Sequence, residues 1–448
     1  MSDFEIDLAI TGAYVLPMDQ MPPIADGVVT VKDGCIVEVG PSGAVDLGRA
    51  ARVIDAPSGA VLPGLVNCHT HNASNLLLRG LLEDVELFQW LRTMWQLKQN
   101  FDHETLYWAS LAGLIEMVRS GVTTFNEHFD AYRVEPEAEA LKTLPLKATL
   151  GYGLADVGLY QPISEWSWAA LADFEKKVQR HHQSQSGRVE VALSPHAPYS
   201  CSAEMWRRVR AVADDLNLKI HTHLAEGLLE VAYVRDNYGL TPTAWLESLG
   251  LLGPDVTAAH CTQLTEADIA ILAGQEVKIA HCPICNCKLV SGTMNLRDVQ
   301  GAGIAVGLAT DGPASHNTVD LFQEMKFAAI IHKDRTGDPE FFRTREVLNM
   351  ATTAAARVMH RPGLGRLVPG APADIIVVEL HRPHTLPVYD PEATLVYASR
   401  ADDVRYTIVD GKILLDDGRL VGLSGSTEEE VLNNFRRSAL ALKARSFS

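Results

Sequence analysis

The sequence has no apolar run approaching the roughly 20 residues a helix needs to cross a bilayer, which speaks against a helical membrane protein. It also has no cluster of Lys and Arg. Its formal net charge is −17 over 448 residues, whereas a protein that tracks phosphate backbones carries a basic patch. Nucleic acid, anionic membranes and polyanionic substrates are therefore poor partners, and a neutral or cationic small molecule suits the charge better. The acidic start, "MSDFEIDLAI", lacks a basic n-region and a long apolar h-region, so no signal peptide is expected. Cysteines number seven, an odd count dispersed along the chain. That fits reduced thiols in a cytoplasm better than a disulfide framework. Cys282, Cys285 and Cys287 form C-x2-C-x-C, yet no second C-x-x-C completes four thiolate ligands. Packed thiols beside a site are expected there, not a structural zinc or an Fe–S cluster.

What is present is an ordinary globular composition, 47% hydrophobic and 21% charged, with enough length for a large core plus an accessory module. The first 60 residues read as β, with Asp33-Gly34 as a hairpin turn between alternating runs. The same grammar returns in "VRYTIVDGKILLDDGRLV", with Asp410-Gly411 at the turn. One small β-sandwich built from residues 1–60 and 365–425 accounts for both. Between them, residues 61–364 alternate eight short apolar strands with amphipathic helices, the count of a (β/α)8 barrel. A doubly wound open sheet would show a Gly-rich phosphate turn after its first strand, and none is there. Residues 426–448 open on a capping box, Thr427 and Glu430, and predict a closing helix. The fold class is thus α/β: a barrel with a composite β-sandwich.

Polar residues stand where the predicted strands end. His69 and His71 end the first, His196 the fourth, His221 and His223 the fifth, His260 the sixth, His281 the seventh and Asp311 the eighth. All barrel strands open their C-termini on one mouth. Residues two apart on a strand share a side, so His69 and His71 aim at one point. Two histidines of the first strand, a third from the fifth and the carboxylate of Asp311 would hold one divalent metal with an open position. The metal lowers the pKa of water to about 7, and Glu226, three residues after His223, is placed to carry its proton.

"PGLVNCHTH", "HTHLAE", "AAHC" and "GLATDGPASHN" resemble the amidohydrolase superfamily. More narrowly they are similar to the branch with methylthioadenosine/S-adenosylhomocysteine deaminases and chlorotriazine and melamine hydrolases. The resemblance runs over nearly the whole chain and implies a distorted (β/α)8 barrel with a composite β-sandwich. It implies His69, His71, His223 and Asp311 as metal ligands, Glu226 as proton shuttle and His260 as the histidine that orients the hydrolytic water. His221 matches no ligand position and is expected to be packed, with His128 and His281 as wall residues. "VEVALSPHAP" offers no bridging lysine or carboxylate after Glu190, so one metal is expected, zinc foremost, with iron(II) or manganese also compatible. "SPHAPYSCS" resembles the motif whose histidine contacts substrate, which assigns His196 a binding role. Trp90 is expected to stack on a flat ring, and Ser315 to sit near the substrate. A homodimer is the family-level expectation.

Nucleoside-deaminating relatives carry a glutamate about nine residues after that tryptophan, where it grips ribose hydroxyls. Here "WLRTMWQLKQN" places Lys98 or Gln99 there, with no acid. Losing a buried polar grip removes the preference for the group it held. The expected reaction is hydrolytic deamination of an amino-substituted heterocycle of purine, pterin, pyrimidine or triazine type, with His260 and Asp311 holding the water and the developing charge. The alternatives are loss of chloride or alkylamine from a triazine, hydrolysis of a cyclic amide, and deamination of adenosine, methylthioadenosine or S-adenosylhomocysteine. A silent barrel acting as a scaffold would lack a ligand or the shuttle, and every position is filled.

Overall fold

The computed structural model describes residues 5–446 except 19, 86 and 130–133; the first four residues of the acidic start and the last two of the tail lie outside the described residues. Two eight-stranded sheets organise the chain. The first draws on both ends: β1 (Ile6–Val15), β2 (Ile24–Lys32), β3 (Cys35–Pro41) and β4 (Ala50–Pro63), with β13 (Ile375–Glu379), β14 (Val404–Val409), β15 (Lys412–Asp416) and β16 (Arg419–Leu420). Its order is β16-β15-β14-β13-β4-β1-β2-β3, so the two ends of the chain join where β4 pairs antiparallel with β13.

Both predicted hairpin turns form. Asp33 and Gly34 have φ of 49° and 77°, Asp410 and Gly411 of 47° and 74°; two consecutive positive φ values are what a tight β-hairpin turn demands. The turns also meet. A Cβ on Gly34 would stand 2.9 Å from the Asp410 carbonyl oxygen, so glycine is required by contact as well as by φ.

The second sheet is wholly parallel: β5 (Leu65–Thr70), β6 (Val122–Phe129), β7 (Lys147–Leu154), β8 (Val189–Pro195), β9 (Lys219–Leu224), β10 (Val256–His260), β11 (Lys278–His281) and β12 (Val306–Leu308). All eight expected strands are present, laid side by side in chain order as a nearly closed barrel. Every residue of β5 and β7 is buried, as expected of parallel strands covered on both faces. Side chains help to close β12 onto β5: Asn67 Nδ2 donates to Thr310 Oγ1 at 2.8 Å, and Thr310 N donates to Asn67 Oδ1 at 3.1 Å. Asp311 N then donates to the His69 carbonyl at 3.1 Å, which brings the eighth strand's carboxylate beside the first strand's histidines.

The contacts between barrel and sandwich include a buried ion-pair cluster. Lys147, at the start of β7, reaches Asp374 at 2.5 Å and Asp410 at 2.5 Å. The closing helix, Glu428–Ser446, is capped as expected, with Thr427 N donating to Glu430 Oε2 and Glu430 N to Thr427 Oγ1. Glu428 in its first turn pairs with Arg119 at 2.6 Å.

Candidate functional site

The strand-end residues converge at the barrel mouth. Asp311 Oδ1 lies 3.2 Å from His69 Nε2 and 3.3 Å from His71 Nε2, and His71 Nε2 lies 3.1 Å from His223 Nε2. Candidate ligand atoms of His69, His71 and His223 all lie within 4.8 Å of one another, as do those of His69, His260 and Asp311. Backbone strain accompanies the arrangement. His260 and Asp311 have φ of 73° and 59°, and Ala225, just before Glu226, has 49°. Non-glycine residues in this region cost of order 1–3 kcal/mol each and persist where surrounding structure enforces them. Gly312 lets the strained loop close in, since a Cβ there would stand 2.0 Å from Asn75 Nδ2.

Hydrogen bonds orient the rings. His223 Nδ1–H donates to the His196 carbonyl at 2.6 Å, which leaves the Nε2 lone pair facing His71 Nε2. His260 Nδ1 is bonded to Asn286 Oδ1 at 2.8 Å. His69 Nδ1 lies 2.7 Å from His221 Nε2, and His221 Nδ1 lies 2.7 Å from the Asn126 amide. His69 Nε2 has a free lone pair when His69 Nδ1–H donates to His221 and His221 Nδ1–H donates to the Asn126 amide oxygen, a half-turn of that amide. Asp311 is held from its other side: Ser315 Oγ and Cys285 Sγ both donate to Oδ2, at 2.6 and 2.8 Å.

Burial sets the protonation. It drives His69 down to about 3 and His71 to about 4, and, with the surrounding imidazoles, holds His223 well below its ordinary range. Neutral imidazoles are the metal-binding form. For Asp311, burial works upward, but the His69 hydrogen bond and the neighbouring histidines hold it well below the usual carboxylate range. Burial raises Glu226, against the pull of His260. The donor set fits a cation. The His223 lone pair, the His71 nitrogen and the Asp311 oxygen stand in one chain of contacts of 3.3 Å or less; a single proton can bridge one such contact, whereas a divalent ion serves them all.

A recess over these atoms is lined by His71, His223, His260, Asp311, Glu226 and Trp90, among others. It shares Trp90, Tyr199, Glu226 and Leu289 with an outer chamber of about 540 Å3 whose rim includes Leu228, Leu229 and Val290. His196 lines the recess, and its Nε2 accepts from the Tyr160 hydroxyl at 3.0 Å. Ser315 is fully buried and its hydroxyl is spent on Asp311. His221 is buried and packed, and is also the partner of His69. His128 forms wall, its ring 4.5 Å from that of His223. His281 is paired instead with His332 at 2.8 Å. Tyr160, Asn286 and Asn126 complete the site without having been singled out in the sequence; Cys285, expected as a packed thiol beside a site, is found donating to Asp311.

A parallel barrel whose mouth gathers histidines and a carboxylate around a cation-sized focus defines a metal-dependent hydrolase. The chain matches the amidohydrolase family over residues 60–414. It is 36% identical over 439 residues to a 5-methylthioadenosine/S-adenosylhomocysteine deaminase of Pelotomaculum thermopropionicum, covering 97% of this chain and 99% of that one. The structure of an adenosine deaminase from Xanthomonas campestris with bound zinc superposes with a TM-score of 0.91 at 30% identity, over 98% of this chain and 99% of that one. The zinc complex of an atrazine chlorohydrolase from Arthrobacter aurescens TC1 gives 0.86 at 25% identity, over 96% and 100%. The chain belongs to the amidohydrolase family. It is a metal-dependent hydrolytic deaminase, a hydrolase of carbon–nitrogen bonds other than peptide bonds.

Proposed function

We propose that one zinc ion is held by His69, His71, His223 and Asp311, and that the enzyme replaces the amino group of a nitrogen heterocycle with an oxo group. The observation that carries this reading is the convergence of those four side chains, with Glu226 in the wall of the same recess. A cation bound there supplies Lewis acidity and brings the pKa of water down to about 7. Glu226, raised by burial, accepts the water proton and delivers it to a ring nitrogen, then to the departing amine. His260, its Nδ1 committed to Asn286, turns its other nitrogen to the water and to the oxygen forming on the ring. Asp311, bonded at Oδ2 by Ser315 and Cys285, keeps Oδ1 for the histidine side and steadies the developing charge. Trp90 stacks on the ring, His196 with Tyr160 bounds it, and Ser315 acts through Asp311. The balance is ring C–NH2 plus water giving ring C=O plus ammonia.

A nucleoside substrate is the second reading, favoured by the deaminases named above. The missing acid in "WLRTMWQLKQN" speaks for a free heterocycle. A homodimer in the cytoplasm is inferred from the family resemblance, and the free state of all seven cysteines supports a reducing compartment. Division of the chain near residues 60, 364 and 425 is supported by β4 ending at Pro63, β13 starting at Ile375 and the last helix starting at Glu428. The test is ammonia release from a panel of purines, pterins, pyrimidines, triazines and nucleosides, with metal content measured on the same preparation. Ammonia from a free base supports the reading; chloride or alkylamine without ammonia overturns it.

A further inference from the structure

Glu230 stands in the first turn of the helix Leu228–Tyr238 and is only 2% exposed. An acid is almost never buried this far without partners. A glutamate three places into a helix ordinarily reaches back to the main-chain N–H of the capping residue, here Gly227. Glu230 takes instead the N–H groups of the two residues before it: Ala225 N donates to Oε1 at 2.9 Å and Glu226 N to Oε2 at 3.0 Å. The carbonyls of the same two residues are held from the loop after β10. Thr262 N and Gln263 N both donate to the Ala225 carbonyl at 3.0 Å, and Thr262 Oγ1 donates to the Glu226 carbonyl at 2.7 Å. All four main-chain polar groups of Ala225 and Glu226 are thereby fixed. Ala225 sits there at a φ of 49°, a conformation that persists only under constraint. The Glu226 carboxylate has no hydrogen-bond partner among the described residues, so the main chain beneath it sets its aim. Burial pushes the Glu230 carboxyl up to about 8. Both of its oxygens can still accept when it carries a proton, so the clamp stands in either state.

Resting on Glu226 as the proton carrier, we propose that Glu230 and Thr262 are positioning residues for the proton transfer: together they lock the Ala225–Glu226 turn and keep the Glu226 carboxylate aimed into the recess beside His260. Neither lines that recess, whereas Glu226 and His260 both do. Thr262 follows His260 by two residues, and His260 is itself strained, with a φ of 73°. The clamp therefore ties the proton carrier, which follows β9, to the histidine that ends β10. Such registration matters because a misplacement of about 1 Å can cost about 10²-fold in rate.

The test is Glu230→Gln, which keeps the shape but turns an amide NH2, a group that cannot accept, towards one of the two N–H groups. On the metal-loaded enzyme, with the panel compound that releases ammonia fastest, kcat should fall about 10–100-fold while KM and metal content stay nearly unchanged. In a Glu226→Gln background the same change should cost less than about twofold, since the carrier it aims is gone. Thr262→Val removes only the Oγ1 bond and should show the same pattern more weakly. Crystals of metal-loaded Glu230→Gln should show the Glu226 carboxylate displaced by about 1 Å or more. Equal losses in both backgrounds, a loss carried by KM or by metal release, or an unmoved Glu226 carboxylate would overturn the proposal. If Glu230→Gln does not fold, Thr262→Val decides by the same measurements. Near-normal turnover of Glu226→Gln alone would defeat the proton-carrier reading. If no panel compound releases ammonia, the deaminase reading fails, and the position of Glu226 in the variant crystals still decides whether the clamp exists.

Discussion

His71 and His223, 152 residues apart in sequence, bring their Nε2 atoms to 3.1 Å across the barrel mouth. The first belongs to the loop that follows β5, the second to β9, and their rings are stacked within 4° of parallel. With its Nδ1 donating to the His196 carbonyl, His223 has its lone pair aimed at His71. Burial keeps both rings neutral. A cation held between the two rings, as proposed, would satisfy both nitrogens.

Replacing Glu226 with Gln should keep metal and lose at least about 10²-fold in kcat, the scale of an acid–base contribution. Glu226 N is held by Glu230 Oε2 at 3.0 Å, so the main chain stays in place in the variant. Steady-state kinetics with elemental analysis checks this; near-normal turnover would mean another group moves the proton.

The Asn126–His221–His69 relay should govern metal affinity without touching the ion. Outer partners of metal-bound histidines are worth about 10–100-fold in affinity. His221→Ala is expected to weaken zinc binding by that factor in a competitive chelator titration. An unchanged affinity would show that packing alone orients His69.

Metal-free protein should lose stability as pH falls below 6.5. The unfolded chain protonates His69 and His71 near their ordinary 6.5, whereas burial holds the folded values at about 3 and about 4. Between these limits the unfolded state binds more protons, so stability is fully present above 6.5 and is lost as pH drops towards 4. From pH 6.5 to 5 the cost is about 2 kcal/mol per ring. Urea midpoints of the apoprotein should fall over that window, and less steeply in His69→Gln. A flat profile would contradict neutral buried rings.

Lys147→Met should destabilise the whole chain. It strips Asp374, almost fully buried, of its ion pair at 2.5 Å. Leaving one partner of a buried pair uncompensated costs about 3–5 kcal/mol. Denaturant unfolding reads this directly, and a loss under about 1 kcal/mol would mean that the lysine does not clamp barrel to sandwich.

The strand ends were legible because a parallel barrel puts them all at one mouth, so each apolar run closing on a polar residue was informative alone. His69, His71, His223 and Asp311 were read that way, with the family resemblance choosing His223 over His221 and assigning Glu226, three residues beyond it. Both Asp-Gly turns were equally plain, since their φ requirement is local. Tyr160 and Asn286 carry no such local mark, and Cys285 was marked only as a packed thiol. Their roles arise from bonds to His196, His260 and Asp311, residues brought near by folding. Lys98 was visible only as a lysine in a stretch without an acid. That it turns into the recess depends on a helix packing that periodicity does not reveal. Ser315 was placed near the substrate by analogy, and its hydroxyl is committed to Asp311.

Anomalous diffraction across the zinc edge, from crystals of the metal-loaded enzyme, tests the central claim most directly. One peak is predicted, about 2.0–2.2 Å from a nitrogen of each of His69, His71 and His223 and from an oxygen of Asp311. No peak at that point, or a second ion beside it, would contradict the account.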